Sequence, residues 1–197
     1  MALKHLSEFK NLLDKYQRRR LVLAAAEDLN ALSAVMKAAG DGIIEPILVG
    51  DKEELLRLAA ENSFDLSGIL MVHEPDNTQA TEIAVKMVRS GQADFLMKGR
   101  VGTSTLLKAV LNKEWGLRSG ALLSHIAFFE VKHYHKIIAV TDTAMNIEPN
   151  LQDKIAIVNN SVKCLNKLGY DQPKVAILGA VEKVNENMRA TLDAALM

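Results

Sequence analysis

The chain has 197 residues, 49% of them hydrophobic and 24% charged. That balance suits a globular protein with one good core, or one domain plus part of another, and argues against extended disorder. Lysine plus arginine equals aspartate plus glutamate at 24 each, so the formal net charge is zero and no global footprint of nucleic-acid binding exists.

Compartment signals are plain. The single cysteine, Cys164, excludes an internal disulfide and a metal cluster built on thiolates. The first twenty residues alternate charged and apolar types, without the apolar core of a signal peptide. No uncharged stretch is long enough to span a bilayer. A cytoplasmic protein with no membrane partner is expected.

In chain order, Arg18-Arg19-Arg20 reads as a solvated helix end. A strand is then expected over residues 21–25, a helix over 28–39, a strand over 46–49, a helix over 52–60, a strand over 68–72, a helix over 77–90, a strand over 94–97 and a helix over 103–112. The first of these strands are apolar at consecutive positions, as strands covered on both faces are. The alternation gives an α/β fold, a mostly parallel sheet with helices on both sides. Gly40, Gly42 and Gly91 punctuate helix ends, and Pro75-Asp76 opens a helix.

The pattern then changes. Residues 125–131 and 137–140 are apolar runs separated by a few polar residues, which suits an antiparallel hairpin within the parallel sheet. Glu148-Pro149-Asn150 breaks the chain. A first α/β domain is expected over residues 1–147, with a second beginning over 148–197. A helix over 151–168, a strand over 174–178, a loop over 179–185 and a helix over 187–196 follow. A βαβ unit needs another strand to return to, so the second half reads as cut short.

Three segments suit chemistry. Residues 97–105 (MKGRVGTST) link a strand to a helix, where ligands of open α/β sheets bind. Two glycines allow close backbone approach, Thr103, Ser104 and Thr105 bring hydroxyls to a helix start, and Lys98 and Arg100 bring charge, as an oxyanion requires. The segment is neither a P-loop nor a GxGxxG turn. A plain strand-to-helix turn accounts for it equally well. In the second segment, Ser124 and His125 are adjacent, so on a strand they point to opposite faces and make no nucleophile–base pair. One of them contacts a ligand, or His125 is a satisfied half-buried histidine. The third segment carries Asp142, Thr143 and Asn146, read as a cleft wall or as a loop of turn formers. His73 ends a strand as a loop histidine or cleft lining. His133, Tyr134 and His135 read as a hairpin tip, and no metal site is expected.

Residues 86–102 (KMVRSGQADFLMKGRVG), 103–110 (TSTLLKAV), 123–129 (LSHIAFF), 138–147 (IAVTDTAMNI) and 175–184 (VAILGAVEKV) together resemble the phosphate acetyl/butyryltransferase family, most closely its butyryltransferase branch. The resemblance covers nearly the whole chain. It implies a three-layer α/β/α, isocitrate/isopropylmalate dehydrogenase-like fold in two domains, as a homodimer. It also implies reversible transfer of a butyryl or other short acyl group between coenzyme A and phosphate, through a ternary complex with an aspartate base. Coenzyme A would be a substrate, with no permanently bound cofactor and no metal. Carried over by residue, Gly99, Arg100, Thr103 and Ser104 would face phosphate. Ser124 and His125 would flank the acyl phosphate, and Asp142, Thr143 and Asn146 would line the coenzyme A side of the cleft. The family's C-terminal segment with the presumed aspartate base has no counterpart, so a truncated form of low or no activity is expected. The rival reading is a non-catalytic coenzyme A- or phosphate-binding protein on the same fold. A nucleotide-dependent dehydrogenase is disfavoured, because Ala24-Ala25-Ala26-Glu27-Asp28 occupies the place of the glycine-rich turn.

Overall fold

The structure, a computed structural model, describes residues 3–13 and 17–197. A short 3-10 turn (Leu6–Glu8) precedes α1 (Phe9–Leu13), β1 (Arg19–Ala24), α2 (Leu29–Gly40), β2 (Ile44–Gly50), α3 (Lys52–Asn62), β3 (Leu70–His73), α4 (Asn77–Arg89), β4 (Phe95–Lys98) and α5 (Thr103–Val110). Then come β5 (Ala127–Phe129), β6 (Ile138–Val140), α6 (Leu151–Lys167) and α7 (Arg189–Leu196). The chain forms two compact units. One is Tyr16–Ser119. The other joins Met1–Lys15 to Gly120–Met197.

The Tyr16–Ser119 unit is built on a four-stranded sheet of order β3-β2-β1-β4 with every pair parallel. Its consecutive apolar runs have a direct cause. Leu21 and Leu23 of β1 point to one face with Leu48 of β2, against Leu32 and Val35 of α2 and Leu55 of α3. Val22 and Ala24 point to the other face with Ile47 and Val49, against Ala80, Ala84 and Met87 of α4. Side chains alternate along a strand, so a strand covered on both faces must be apolar at every position. Leu23, Leu32, Leu48 and Leu55 are fully buried, each contributing about 1.5–3 kcal/mol.

Helix starts follow local chemistry. Asp28, Asp51 and Asp76 each accept backbone N–H groups at the first turn of α2, α3 and α4. Helix α5 ends at Val110, short of the expected residue 112. The Asn112 side chain takes the N–H groups of Glu114 and Trp115, at 2.9 and 3.1 Å, into a turn of its own. The basic run is corrected. Arg19 and Arg20 are the first residues of β1, and the Arg20 N–H and guanidinium both bond Asp94, at 2.8 and 3.3 Å. Hydrogen bonds from Arg20 hold the Asp94 carboxyl below its ordinary range.

In the second unit, β5 and β6 pair antiparallel, as a hairpin should. They form a separate two-stranded sheet, not an excursion of the parallel one. His133, at a φ of 70°, sits in the turn, where the Tyr134 N–H bonds the Val131 carbonyl at 3.0 Å. Helix α6 starts with a capping box of Asn150 and Asp153. Its Lys154 reaches the buried Asp193 of α7 at 2.6 Å. The boundary expected between residues 147 and 148 lies within this unit, ahead of α6. The N-terminal residues are tied to it as well. Glu130 accepts the Leu6 N–H and bonds His5 at 2.8 Å. Phe9 meets Phe128 edge-on, with centroids 5.3 Å apart.

The strand expected over residues 174–178 is absent. These residues carry no regular structure and have no ladder partner among the described residues. Val175, Ile177 and Leu178 are exposed. An apolar run becomes a strand only where another strand takes up its backbone groups.

Candidate functional site

The four strand-to-helix loops of the parallel sheet share its carboxyl edge. From β1 the chain proceeds outward to β2 and β3, then returns to place β4 on the other side of β1. The point between β1 and β4 is where the order reverses, and such points accept ligands in open α/β sheets. The Gly99–Gly102 loop sits there. Its position is fixed by the backbone of β1's end: the Gly99 N–H donates to the Ala24 carbonyl at 2.9 Å and the Arg100 N–H to the Ala25 carbonyl at 2.6 Å. A Cβ at Gly99 would stand 2.2 Å from the Ala25 carbonyl oxygen, so only glycine allows this approach.

Three further features suit an oxyanion. Gly102 is the N-cap of α5 and offers no side chain to its first turn. The first intrahelical bond runs from Leu106 to Gly102, which leaves the N–H groups of residues 103–105 directed out of the helix start. Thr103, Ser104 and the Arg100 side chain are exposed beside them. Lys98 behaves differently from the sequence expectation. Its ammonium donates to the Gly99 and Val101 carbonyls at 3.3 and 2.8 Å, so it clamps the loop. Asn77 of α4 adds a bond to the Arg100 carbonyl at 2.8 Å.

The second cluster lies within the other unit and is held by side chains. Ser124 accepts from Asn160 of α6 at 3.0 Å, and the same amide reaches the Leu122 carbonyl at 2.9 Å. His125 Nδ1 meets the Thr143 hydroxyl at 3.2 Å, while Thr141 donates to the His125 carbonyl. Asn146 donates to Asp142 and, at 3.1 Å, to the Leu123 carbonyl. Ser124 and His125 therefore face separate partners and form no nucleophile–base pair. Burial works to raise the Asp142 carboxyl, but hydrogen bonds from Asn146, Met145 and Ala144 outweigh it and hold the group below its ordinary range.

The structure thus gathers Gly99, Arg100, Thr103 and Ser104 in one loop, and Ser124, His125, Asp142, Thr143 and Asn146 in one network. His73 accepts the Lys52 N–H at 3.2 Å and finishes the start of α3. Sequence reading missed Asn160. It sits three residues past the buried Ile157 and next to the buried Ser161 of α6, so a polar residue on the inward stripe was the available signal. Glu27, buried between β1 and α2, lies in a non-glycine turn that carries no local signal. Among the described residues no group of three or more His, Cys, Asp or Glu side chains is placed to hold a metal ion.

A parallel sheet with an uncapped helix start at its switch point defines an α/β protein with an anion-suited loop at the carboxyl edge. The chain belongs to the Phosphate acetyl/butaryl transferase family, whose model matches residues 6–82 and 71–196. It is 43% identical over 181 residues to a phosphate butyryltransferase of Clostridium acetobutylicum, covering 92% of this chain and 60% of that protein. It is 41% identical over 194 residues to a phosphate butyryltransferase of Clostridium beijerinckii, covering 98% of this chain and 64% of that protein. Among solved structures, a branched-chain phosphotransacylase from Enterococcus faecalis V583 superposes with a TM-score of 0.76 at 32% identity, over 90% of this chain and 62% of that one. The chain therefore spans 60% and 64% of the length of these two curated relatives.

Proposed function

We propose that this chain carries phosphate- and acyl-binding elements of an acyltransferase that moves a butyryl or similar short acyl group between coenzyme A and phosphate. The observation that carries the reading is the Gly99–Ser104 loop, with its outward N–H groups, hydroxyls and Arg100 at the switch point. Family membership supports the reaction. In one direction a phosphate oxygen attacks the thioester carbonyl, the carbon–sulfur bond breaks, and coenzyme A leaves as a thiol after taking up a proton. Arg100 and the α5 N–H groups neutralise the phosphate. In this reading Ser124 and His125 flank the acyl group, and Asp142, Thr143 and Asn146 line the coenzyme A side. The Ser124 oxygen accepts from Asn160, which leaves its own O–H to donate.

Asp142 is not cast as the proton acceptor, because its carboxylate is already taken by Asn146 and two backbone groups. The same observation favours a second reading, in which this chain binds coenzyme A or phosphate without turnover. The names of the relatives support short acyl-coenzyme A and phosphate as substrates. We place the protein in the cytoplasm as a homodimer with no permanently bound cofactor. No helix of the described residues is long and apolar enough to cross a membrane.

The test is thiol release from butyryl-coenzyme A with and without phosphate. Phosphate-dependent release is expected, and Arg100→Ala should raise the KM for phosphate about 10- to 100-fold, the effect of losing one charged hydrogen-bonding partner. No release, with phosphate still bound, favours the second reading. No release and no binding contradict both.

A further inference from the structure

One side chain at the carboxyl edge has no part in the site described above. Glu27, between β1 and α2, is 7% exposed. Its Oε1 accepts the backbone N–H of Asp51, the N-cap of α3. Its Oε2 is buried with no hydrogen-bond partner. A carboxylate oxygen sealed from water and unmet is costly, and the bond that the side chain does make is to the Asp51 N–H. Gly50 tells the same story from the facing strand. A Cβ there would lie 2.4 Å from Glu27 Oε1, and the end of β2 carries no side chain where the carboxylate sits.

The segment that Glu27 anchors is the one that positions the glycine loop. Two residues earlier, Ala25 adopts a left-handed conformation with a φ of 50°, unusual for a residue with a Cβ. That turn presents the Ala24 and Ala25 carbonyls to the N–H groups of Gly99 and Arg100. On the β2 side, the Ala26 N–H donates to the Val49 carbonyl at 3.1 Å. Residues 24–27 therefore form a clasp. One side is fastened to the end of β2 and the start of α3, and the other holds the loop between β4 and α5.

We propose that Glu27 is a positioning residue: by bonding the Asp51 N–H it fixes the left-handed Ala25 turn, whose carbonyls hold Gly99 and Arg100 where an anion meets them. Glu27 itself touches no ligand. The consequence for phosphate rests on the function proposed above, whereas the clasp rests on geometry alone. The hydrogen bond needs an acceptor oxygen, so a glutamine amide can replace the carboxylate.

The experiment is residue-resolved amide hydrogen exchange on the whole chain, paired with calorimetric titration of inorganic phosphate. In Glu27→Ala the Gly99 and Arg100 amides should exchange about tenfold faster, the scale of one lost hydrogen bond, with α6 amides unchanged. The phosphate Kd should rise by about the same factor. Glu27→Gln should restore both to within about threefold of the parent. Unchanged exchange at Gly99 and Arg100 in folded Glu27→Ala overturns the proposal, and so does a glutamine variant as impaired as the alanine one. If Glu27→Ala does not fold by circular dichroism, Glu27→Asp, which retracts the carboxylate by one methylene, is read by the same two outcomes. Faster exchange with no change in phosphate binding upholds the clasp and removes the loop as the phosphate site.

Discussion

The two units of this chain solve the same problem, holding a polar loop in place, by different means. In Tyr16–Ser119 the loop at Gly99 is held first by the Ala24 and Ala25 carbonyls, at the end of a strand whose residues 21–24 are sealed in two apolar layers, with the Asn77 and Lys98 side chains adding bonds to its own carbonyls. In the other unit, the strip around Ser124 and His125 is held by side-chain amides and hydroxyls from Asn146, Thr141, Thr143 and Asn160. A backbone clamp on a packed sheet tolerates little change at its glycine. A side-chain network loses its members one hydrogen bond at a time. Rigidity at the first loop comes from the core, and at the second from polar pairing.

Substitutions sharpen that contrast. The largest effect is expected in the sheet core. Leu48→Ala empties a fully buried site between β1, α2 and α3 and should cost about 2–5 kcal/mol, read as a lower urea midpoint. Gly99→Ala comes next. The new Cβ meets the Ala25 carbonyl at 2.2 Å, so the loop must move at a cost of about 1–3 kcal/mol, with phosphate binding lost. A variant that keeps parental stability and parental phosphate binding would break the claim of a backbone clamp.

Asn160→Ala should do less, about 1–2 kcal/mol, because the Leu122 carbonyl and Ser124 lose one shared donor. Its signature is a local loss of amide protection over residues 122–125. Loss of protection across the parallel sheet would contradict the division of labour. Asp142 sets a pH dependence in the same network. Its folded value is lowered, so its stabilising contribution is complete above the ordinary carboxylate value of 3.8 and is lost as pH falls through the folded value. Acid titration should perturb Leu123 and Asn146 resonances in the parent, and Asp142→Asn should abolish that step. The smallest effect is at the N-terminal tie. The hydrogen bond to Glu130 raises the pKa of His5, so the tie is complete below the ordinary histidine value of 6.5 and is lost as pH rises through the raised one. By NMR, Glu130→Gln should return His5 to ordinary titration. An unchanged midpoint would show that the pair is not formed in solution.

Legibility in the sequence follows the same division. The central strands β1 and β2 were readable because two-sided burial writes consecutive apolar residues, and the helices because Asp28, Asp51 and Asp76 mark their starts. The glycines and hydroxyls of residues 99–105 were legible, although the exposed Lys98 spends its ammonium on the Gly99 and Val101 carbonyls. The second unit was harder to read. Residues 174–178 have the composition of a strand, but strand formation depends on a partner that composition does not name. Asn160 and Glu27 act through tertiary neighbours 36 and 24 residues away, distances at which no local period carries information. Arg19 and Arg20 are solvated as read, but they open β1 instead of ending a helix, and their partner Asp94 is supplied by the far side of a crossover.

The most direct test of the anion-site reading is an amide NMR titration of the chain with inorganic phosphate. Shifts concentrated at Gly99, Arg100 and residues 102–105, saturating with phosphate and lost in Arg100→Ala, are the expected result. Shifts elsewhere with none in that loop would contradict the assignment of the switch-point loop as the phosphate site.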